Sequence, residues 1–242
     1  MSRRGRTFWL TRAPCWLAAL GSILLFPACG GGSPITQTGS SPALTAPLVE
    51  GEVLDAGRYA LDLHLYAVSP VTLRVTFGVP DGWEAWKYGV VETEGGGDPP
   101  AGRGVGFWIV DEVYADPCRW NRGWIDPAVG SSVHDLVAAL AEQRQRYATT
   151  PREVTLAGYP GEQIQLQVPP TVDFSDCWHS EFHSWTALPS GGRYHQGPGQ
   201  FDRLWIVDVD GVRLVIDAAF FPETSPKDRA ELRQIVESVR IE

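Results

Sequence analysis

The sequence predicts an α+β domain, a mostly antiparallel β-sheet with flanking helices. Three observations carry that expectation. Apolar and polar residues alternate through run after run, as on half-buried strands. Tight-turn signals such as Pro80-Asp81-Gly82 and Asp210-Gly211 separate the runs. Two further segments place apolar residues at helical spacing behind Ser caps.

In chain order, Tyr59, Leu61, Leu63 and Leu65 share one face while Asp62 and His64 take the other. Val71, Leu73, Val75, Phe77 and Val79 then alternate with Thr72, Arg74 and Thr76, so the two runs predict a hairpin joined through residues 67–70. Pro80-Asp81-Gly82 closes it, because Pro presets φ and Gly accepts a positive one. Val105 to Val110 is apolar on both sides, as a covered central strand must be. Ser132 with Asp135 three residues on resembles a capping box, and Val133, Leu136, Val137 and Leu140 form one helical stripe. After the turn Gly158-Tyr159-Pro160-Gly161, Ile164, Leu166 and Val168 alternate with Gln163, Gln165 and Gln167. Asp210-Gly211, set between Leu204–Val209 and Val212–Ile216, is the preferred two-residue hairpin turn. Finally, Ser225 caps, Pro226 starts and Asp228 supports a helix with the stripe Leu232, Ile235, Val236 and Val239.

The N-terminus reads as an export leader rather than as fold. Arg3, Arg4, Arg6 and Arg12 precede an apolar run from Cys15 through Phe26 that is broken only by Gly21 and Ser22. A transmembrane helix needs about 20 apolar residues, and this run is shorter. Leu25-Phe26-Pro27-Ala28-Cys29-Gly30 resembles the bacterial lipobox, with Phe26 and Pro27 departing from the usual residues. Residues 1–28 are therefore expected to be a lipoprotein signal peptide, with Cys29 taking acyl chains such as palmitate. The other reading is an ordinary secretory signal cut elsewhere. Two acyl chains suffice for stable anchoring, so the expected partner is a membrane, reached through the lipid, at the cell membrane or outer envelope. Residues 29–49 are rich in Gly, Ser, Thr, Pro and Ala and read as a flexible linker. Residues 50–242 form one extracytoplasmic domain, large enough for a sizeable core.

Removing the four leader arginines from 20 basic residues leaves 16 against 29 acids, a net charge of −13 with His neutral. That balance lacks the basic footprint of a nucleic-acid binder, and no nucleic acid is expected as a partner.

Val79-Pro80-Asp81-Gly82-Trp83, Ala157-Gly158-Tyr159-Pro160-Gly161 and the closing unit from Val209-Asp210-Gly211-Val212 through Thr224-Ser225-Pro226 to Val236-Glu237-Ser238-Val239-Arg240 resemble the PsbP/Mog1-like α/β/α sandwich. That fold recurs in small secreted lipoproteins of high-GC bacteria. The resemblance spans most of residues 53–242 and implies a non-enzymatic accessory or binding module. It carries over no functional residues, since its motifs are turns and core positions.

Within the domain Cys118 and Cys177 remain, and in an oxidising compartment two such cysteines most simply pair. A second arrangement would use Cys118, Cys177, His179 and His183 as zinc ligands. A third leaves the cysteines paired and lets His179, Glu181 and His183, alternating on a strand, hold a metal for an extracytoplasmic hydrolase. The sequence contains no G-x-S-x-G elbow, H-E-x-x-H or P-loop, and no cofactor is expected. Eight tryptophans lie in the domain; Trp108 and Trp205 sit on apolar strands and are expected in the core. Trp120, Trp124, Trp178 and Trp185 flank the cysteines, with Asp116, Asp126, Asp173 and Asp176 nearby. They are the expected contact residues for an unknown protein or small-molecule ligand. The alternative is a purely structural envelope protein, whose tryptophans would only pack over the disulfide.

Overall fold

The computed structural model describes residues 45–64, 72–94 and 96–242. The expected leader, the expected lipidation site Cys29 and most of the expected linker lie outside the described residues. In chain order the strands are β1 (Thr45–Pro47), β2 (Val53–Leu54), β3 (Gly57–His64), β4 (Thr72–Val79), β5 (Trp83–Trp86), β6 (Gly89–Glu92), β7 (Arg103–Val113), β8 (Tyr147–Ala148), β9 (Arg152–Leu156), β10 (Tyr159–Gln167), β11 (His183–Leu188), β12 (Gly192–Tyr194), β13 (Phe201–Val209), β14 (Val212–Phe220) and β15 (Arg240–Ile241). Helix α1 covers Val133–Ala141 and helix α2 covers Pro226–Glu237.

The strands divide into two sheets. One runs β2-β5-β6-β7-β14-β13-β10-β8, with β11 on the far half of β7, β12 on β11 and β9 on β10. The other runs β1-β3-β4-β15. Every pairing is antiparallel except β1 with β3. The predicted hairpins are present: β3 pairs with β4 from Gly57↔Val79 to His64↔Thr72, and β13 with β14 from Phe201↔Phe220 to Val209↔Val212. Between the last two strands Asp210 and Gly211 both have positive φ, 52° and 89°, as their two-residue turn requires.

The helix and turn chemistry works as its residues dictate. Ser132 Oγ accepts from the Asp135 N–H, and the Asp135 carboxylate accepts from the Ser132 N–H, a reciprocal capping box. Ser225 Oγ accepts from the Asp228 N–H at the start of α2.

Three details differ from the expected layout. The hairpin β3–β4 does not join the main sheet. The buried face of β4 instead packs on α2 and β7, with Phe77 and Phe107 ring centroids 4.7 Å apart. Among the described residues the domain is therefore a sheet-on-sheet arrangement with two short α-helices, richer in strand than an α/β/α sandwich. Second, Ala157 and Gly158, both at positive φ, make the turn between β9 and β10, so Tyr159-Pro160-Gly161 already lie in the ladder. Gly161 suits that place because a Cβ there would stand 2.1 Å from the Ile206 carbonyl oxygen. Third, Thr45–Pro47, read by composition as linker, pairs with β3 through backbone alone and leaves its side chains exposed.

Period-2 geometry gives the main sheet two buried faces. Val105 and Phe107 on β7, Trp205 and Val207 on β13, and Leu214 and Ile216 on β14 face α2 and β4. Trp108 and Val110, Leu204 and Ile206, and Val215 face α1, whose Leu136, Val137 and Leu140 are buried against them. Trp108 and Trp205 are both core residues, as their strands imply. No helix among the described residues is long and apolar enough to cross a membrane.

Candidate functional site

Two places on the α1 side of the main sheet carry chemistry. One surrounds the cysteines. Cys118 and Cys177 form a disulfide across a sequence separation of 59. The strand β7 delivers the first, through a 3-10 turn at Pro117–Arg122 capped by Asp116, whose Oδ1 accepts from the N–H groups of Cys118 and Arg119. The second lies in the segment after β10, where Asp173 likewise caps the turn Phe174–Asp176 by accepting from the Ser175 N–H. Asp116 and Asp173 thus serve as turn caps.

A row of rings adjoins the turns that carry the two cysteines. Trp124 lies 4.3 Å from Tyr114, Tyr114 lies 6.0 Å from Trp120, Trp120 stacks on His183 at 4.6 Å, and His183 lies 5.6 Å from Tyr194. Trp178 joins the row from the other loop, where its carbonyl accepts from Trp120 Nε1 at 3.2 Å. Trp124, Trp178 and Tyr194 are 44, 47 and 55 % exposed. The expected quartet is therefore only partly assembled here. Trp120, Trp124 and Trp178 come together, whereas Trp185 is fully buried on β11, in the α1-side core beside Trp108. A cavity does open beside Cys118, but Arg119, Tyr147, Val172 and Asp176 line it rather than any of the four tryptophans.

The alternation of His179, Glu181 and His183 does not become a strand face. His179 sits in a 3-10 turn at φ 53°, followed by Ser180 at φ 59°, and β11 begins only at His183. His183 Nε2 meets Glu181 Oε2 at 2.9 Å, and burial draws the His183 pKa down against the pull of that carboxylate. Among the described residues no group of three His, Cys, Asp or Glu side chains has metal-binding geometry.

The second place is a buried charge network that the sequence reading did not single out. Asp202 on β13 and Asp217 on β14 point inward on the stripes of Leu204 and Val215, and the register Asp202↔Ala219 and Leu204↔Asp217 makes them diagonal neighbours. Arg193 on β12 bridges them, donating from Nε to Asp217 at 2.6 Å and from Nη2 to Asp202 at 2.7 Å. Arg146, arriving from the segment between α1 and β8, donates to the other oxygen of Asp202 at 2.9 Å. The side chains of Arg146 and Asp202 are wholly buried. Charge-assisted pairs are the form in which such groups tolerate burial.

His195 completes the network. Its Nε2 faces Arg146 Nη1 at 3.0 Å and Ser184 Oγ at 2.8 Å. Arginine can only donate, so Nε2 accepts and the ring proton resides on Nδ1. That atom lies 3.3 Å from Asp202 Oδ2, close enough for attraction but outside hydrogen-bond geometry. Burial, with Arg146 and Arg193 adding repulsion, holds the His195 pKa well below the ordinary imidazole range. Burial also pushes Asp217 up to about 7 against the pull of Arg193. For Arg193 the two carboxylates outweigh burial and raise the pKa, whereas Arg146 is drawn down by burial.

The sign of the pH dependence follows. A histidine kept neutral in the fold but protonated when unfolded stabilises the fold fully above about 6.5, and that stability is lost as pH falls through the window below. Asp217 acts oppositely over the range from about 4 to about 7, where the folded state holds its proton more tightly. Replacing His195 by Gln removes only the first effect. The stability advantage of the native protein over His195→Gln is expected to shrink by about 1.4 kcal/mol per pH unit below pH 6.5. Urea titrations of both proteins at several pH values read it directly, and a constant difference would contradict a buried neutral imidazole.

The network forms one wall of a partly enclosed cavity of about 160 Å³. Its floor is the glycine pair Gly104 and Gly106 of β7, and Trp86, Val91, Ala219 and Phe221 supply apolar walls. Asp98 and Gly102 line its edge from the loop between β6 and β7. Gly106 has a steric reason to be Gly: a Cβ would lie 2.8 Å from Trp108 Nε1.

No family model matches this chain, and a search of curated proteins returns no significant match. Solved structures are similar to it, among them the crystal structure of LpqN, involved in cell envelope biogenesis of Mycobacterium tuberculosis: 12% identity, 76% of this chain and 91% of that chain covered, TM-score 0.39. Another is the solution structure of cyanobacterial PsbP (CyanoP) from Synechocystis sp. PCC 6803: 12% identity, 79% and 96% covered, TM-score 0.34. The chain thus has a weak PsbP-like resemblance, and likeness at this level is silent on activity.

Proposed function

We propose that this chain is a lipid-anchored accessory module of the bacterial envelope that binds carbohydrate through the ring surface beside the disulfide-linked turns. The supporting observation is the run Trp124, Tyr114, Trp120, His183 and Tyr194, joined by Trp178, with three of its large side chains about half exposed. Flat exposed rings fixed by a covalent cross-link suit the apolar faces of sugar rings, and exposed apolar patches mark interaction sites. Glu181 and His183 stand at the same surface as polar partners for hydroxyl groups. In this reading a lipid on Cys29 holds the module where envelope glycans are found, and the acidic domain itself need not touch the bilayer.

The test uses a soluble chitotetraose and insoluble peptidoglycan as probes. Trp124→Ala with Trp178→Ala is expected to weaken binding about tenfold or more, since each stacked ring contributes on the order of 1 kcal/mol. Thermal unfolding is expected to stay within about 2 °C, because both side chains are half exposed and surface changes of this kind cost little. Equal binding by the variant and the native chain would remove the ring surface from consideration.

A further inference from the structure

We propose that the cavity between β7, β14 and the loop at Asp98 is a binding site for a small neutral molecule, a ring-sized apolar body that carries a hydroxyl group. This site is separate from the ring surface and does not depend on the carbohydrate reading, although Tyr194 borders both.

Size comes first. A cavity of about 160 Å³ matches one aromatic or alicyclic ring, since roughly 150 Å³ lined by apolar side chains holds a benzene. One side of the wall is of that kind, made by Trp86, Val91, Ala219 and Phe221, while Arg193, Gln200 and Asp217 make another side polar. Polarity then sets the functional group. Asp217 is buried, lines the cavity, and spends Oδ2 on Arg193, yet its Oδ1 has no hydrogen-bond partner. Trp86 Nε1 is likewise buried without a partner, and Trp86 lines the same cavity; the Arg103 guanidinium turns away to Glu92, Asp228 and Glu231 on the α2 face. One unmatched acceptor and one unmatched donor in the same lining are the complement of a hydroxyl, which both donates and accepts.

Charge excludes the obvious competitor, an ammonium ligand. The two arginines Arg146 and Arg193 already balance Asp202 and Asp217 at 2.6–2.9 Å. A cation added at Asp217 would leave the enclosed group of charges with an excess positive charge in a dry setting, which is costly. A neutral donor satisfies Oδ1 without disturbing that balance.

Phenol and toluene make a matched pair that differs in the hydroxyl alone, and benzylamine supplies the cation. Titration of the purified full chain, followed by ligand-observed NMR and tryptophan fluorescence, is expected to show phenol binding at least tenfold tighter than toluene, with benzylamine weakest. Asp217→Asn places an amide N–H₂ where Oδ1 stood and is expected to abolish the preference for phenol. Ala219→Leu fills the cavity from the wall while keeping the Arg193–Asp217 pair, and is expected to remove binding of both probes from a folded protein. Toluene binding as tightly as phenol, benzylamine binding more tightly than either, or phenol binding that survives Ala219→Leu would each overturn the assignment.

Discussion

Replacing Asp202 by Ala is expected to remove about 3–5 kcal/mol of stability, the cost of breaking a buried ion pair from one side. Asp202 is the shared acceptor of the network: Arg146 donates to one of its oxygens at 2.9 Å, and Arg193 at 2.7 Å and Gln200 at 3.3 Å share the other. With the carboxylate gone, Arg146 has no anionic contact left and lies enclosed among Phe182, His195 and the sheet. Arg193 keeps Asp217 and the Tyr194 carbonyl. Domains of ordinary size are stable by only 5–15 kcal/mol, so the loss is a large fraction of the whole. Asp62→Ala is the matched control. It breaks the pair with Arg74, whose two side chains are each 43 % exposed, and exposed pairs contribute about 0–1 kcal/mol. Urea midpoints compare the two variants, and a loss for Asp202→Ala no greater than for Asp62→Ala would show that the network carries no structural load.

That network also marks the limit of what was legible in the sequence. Hairpins and helices announce themselves locally. Asp210-Gly211 demands positive φ at two successive residues, and Ser132 with Asp135 satisfies two orphan N–H groups at once. Both signals lie within four residues. The partition into two sheets has no such local mark, because β4 alternates identically whether its buried face meets a helix or another sheet. The network is still less local: Arg146 meets Asp202 across 56 residues and His195 across 49. One signal was nevertheless present. Asp202 falls on the same parity as Leu204 and Ile206, and Asp217 on that of Val215, so period 2 alone puts two carboxylates on buried stripes. Buried carboxylates need cationic partners, and a search for arginines to match them was the missing step.

The ring surface was half legible for a related reason. Proximity to the cysteines gathered Trp120, Trp124 and Trp178 correctly, but it could not tell Trp185 apart. Trp185 lies on β11, where pairing with β7 carries it inward to Trp108, whereas the other three sit on turns. His179 was misplaced by the same assumption that alternation implies a strand: the chain around it turns through two residues at positive φ before β11 begins.

The second large effect is expected from the disulfide itself. Cys118 and Cys177, 59 residues apart, close a loop whose cross-link contributes roughly 4 kcal/mol in the chain-entropy model. Cys118→Ala with Cys177→Ala is therefore expected to lower the midpoint of thermal unfolding by roughly 8–16 °C, at about 2–4 °C per kcal/mol for a domain of this size. The loss should also be local. The disulfide sits in its own small cluster with Val168, Phe174 and Phe182, apart from both large cores. The sheet β7-β14-β13-β10 keeps its ladders without it. What the bond holds in register is the turn Pro117–Arg122 against the turn Trp178–Ser180, which also meet through the Trp120 Nε1 bond to the Trp178 carbonyl and the Trp120–His179 ring contact. The variant should thus lose near-ultraviolet circular dichroism from ordered tryptophans, and sugar binding with it, while its far-ultraviolet strand signal is retained below the midpoint. Reduction of the native chain should reproduce both changes. If the double variant melts at the native temperature with its tryptophan signal intact, packing alone fixes the two turns and the cross-link is dispensable to the ring surface.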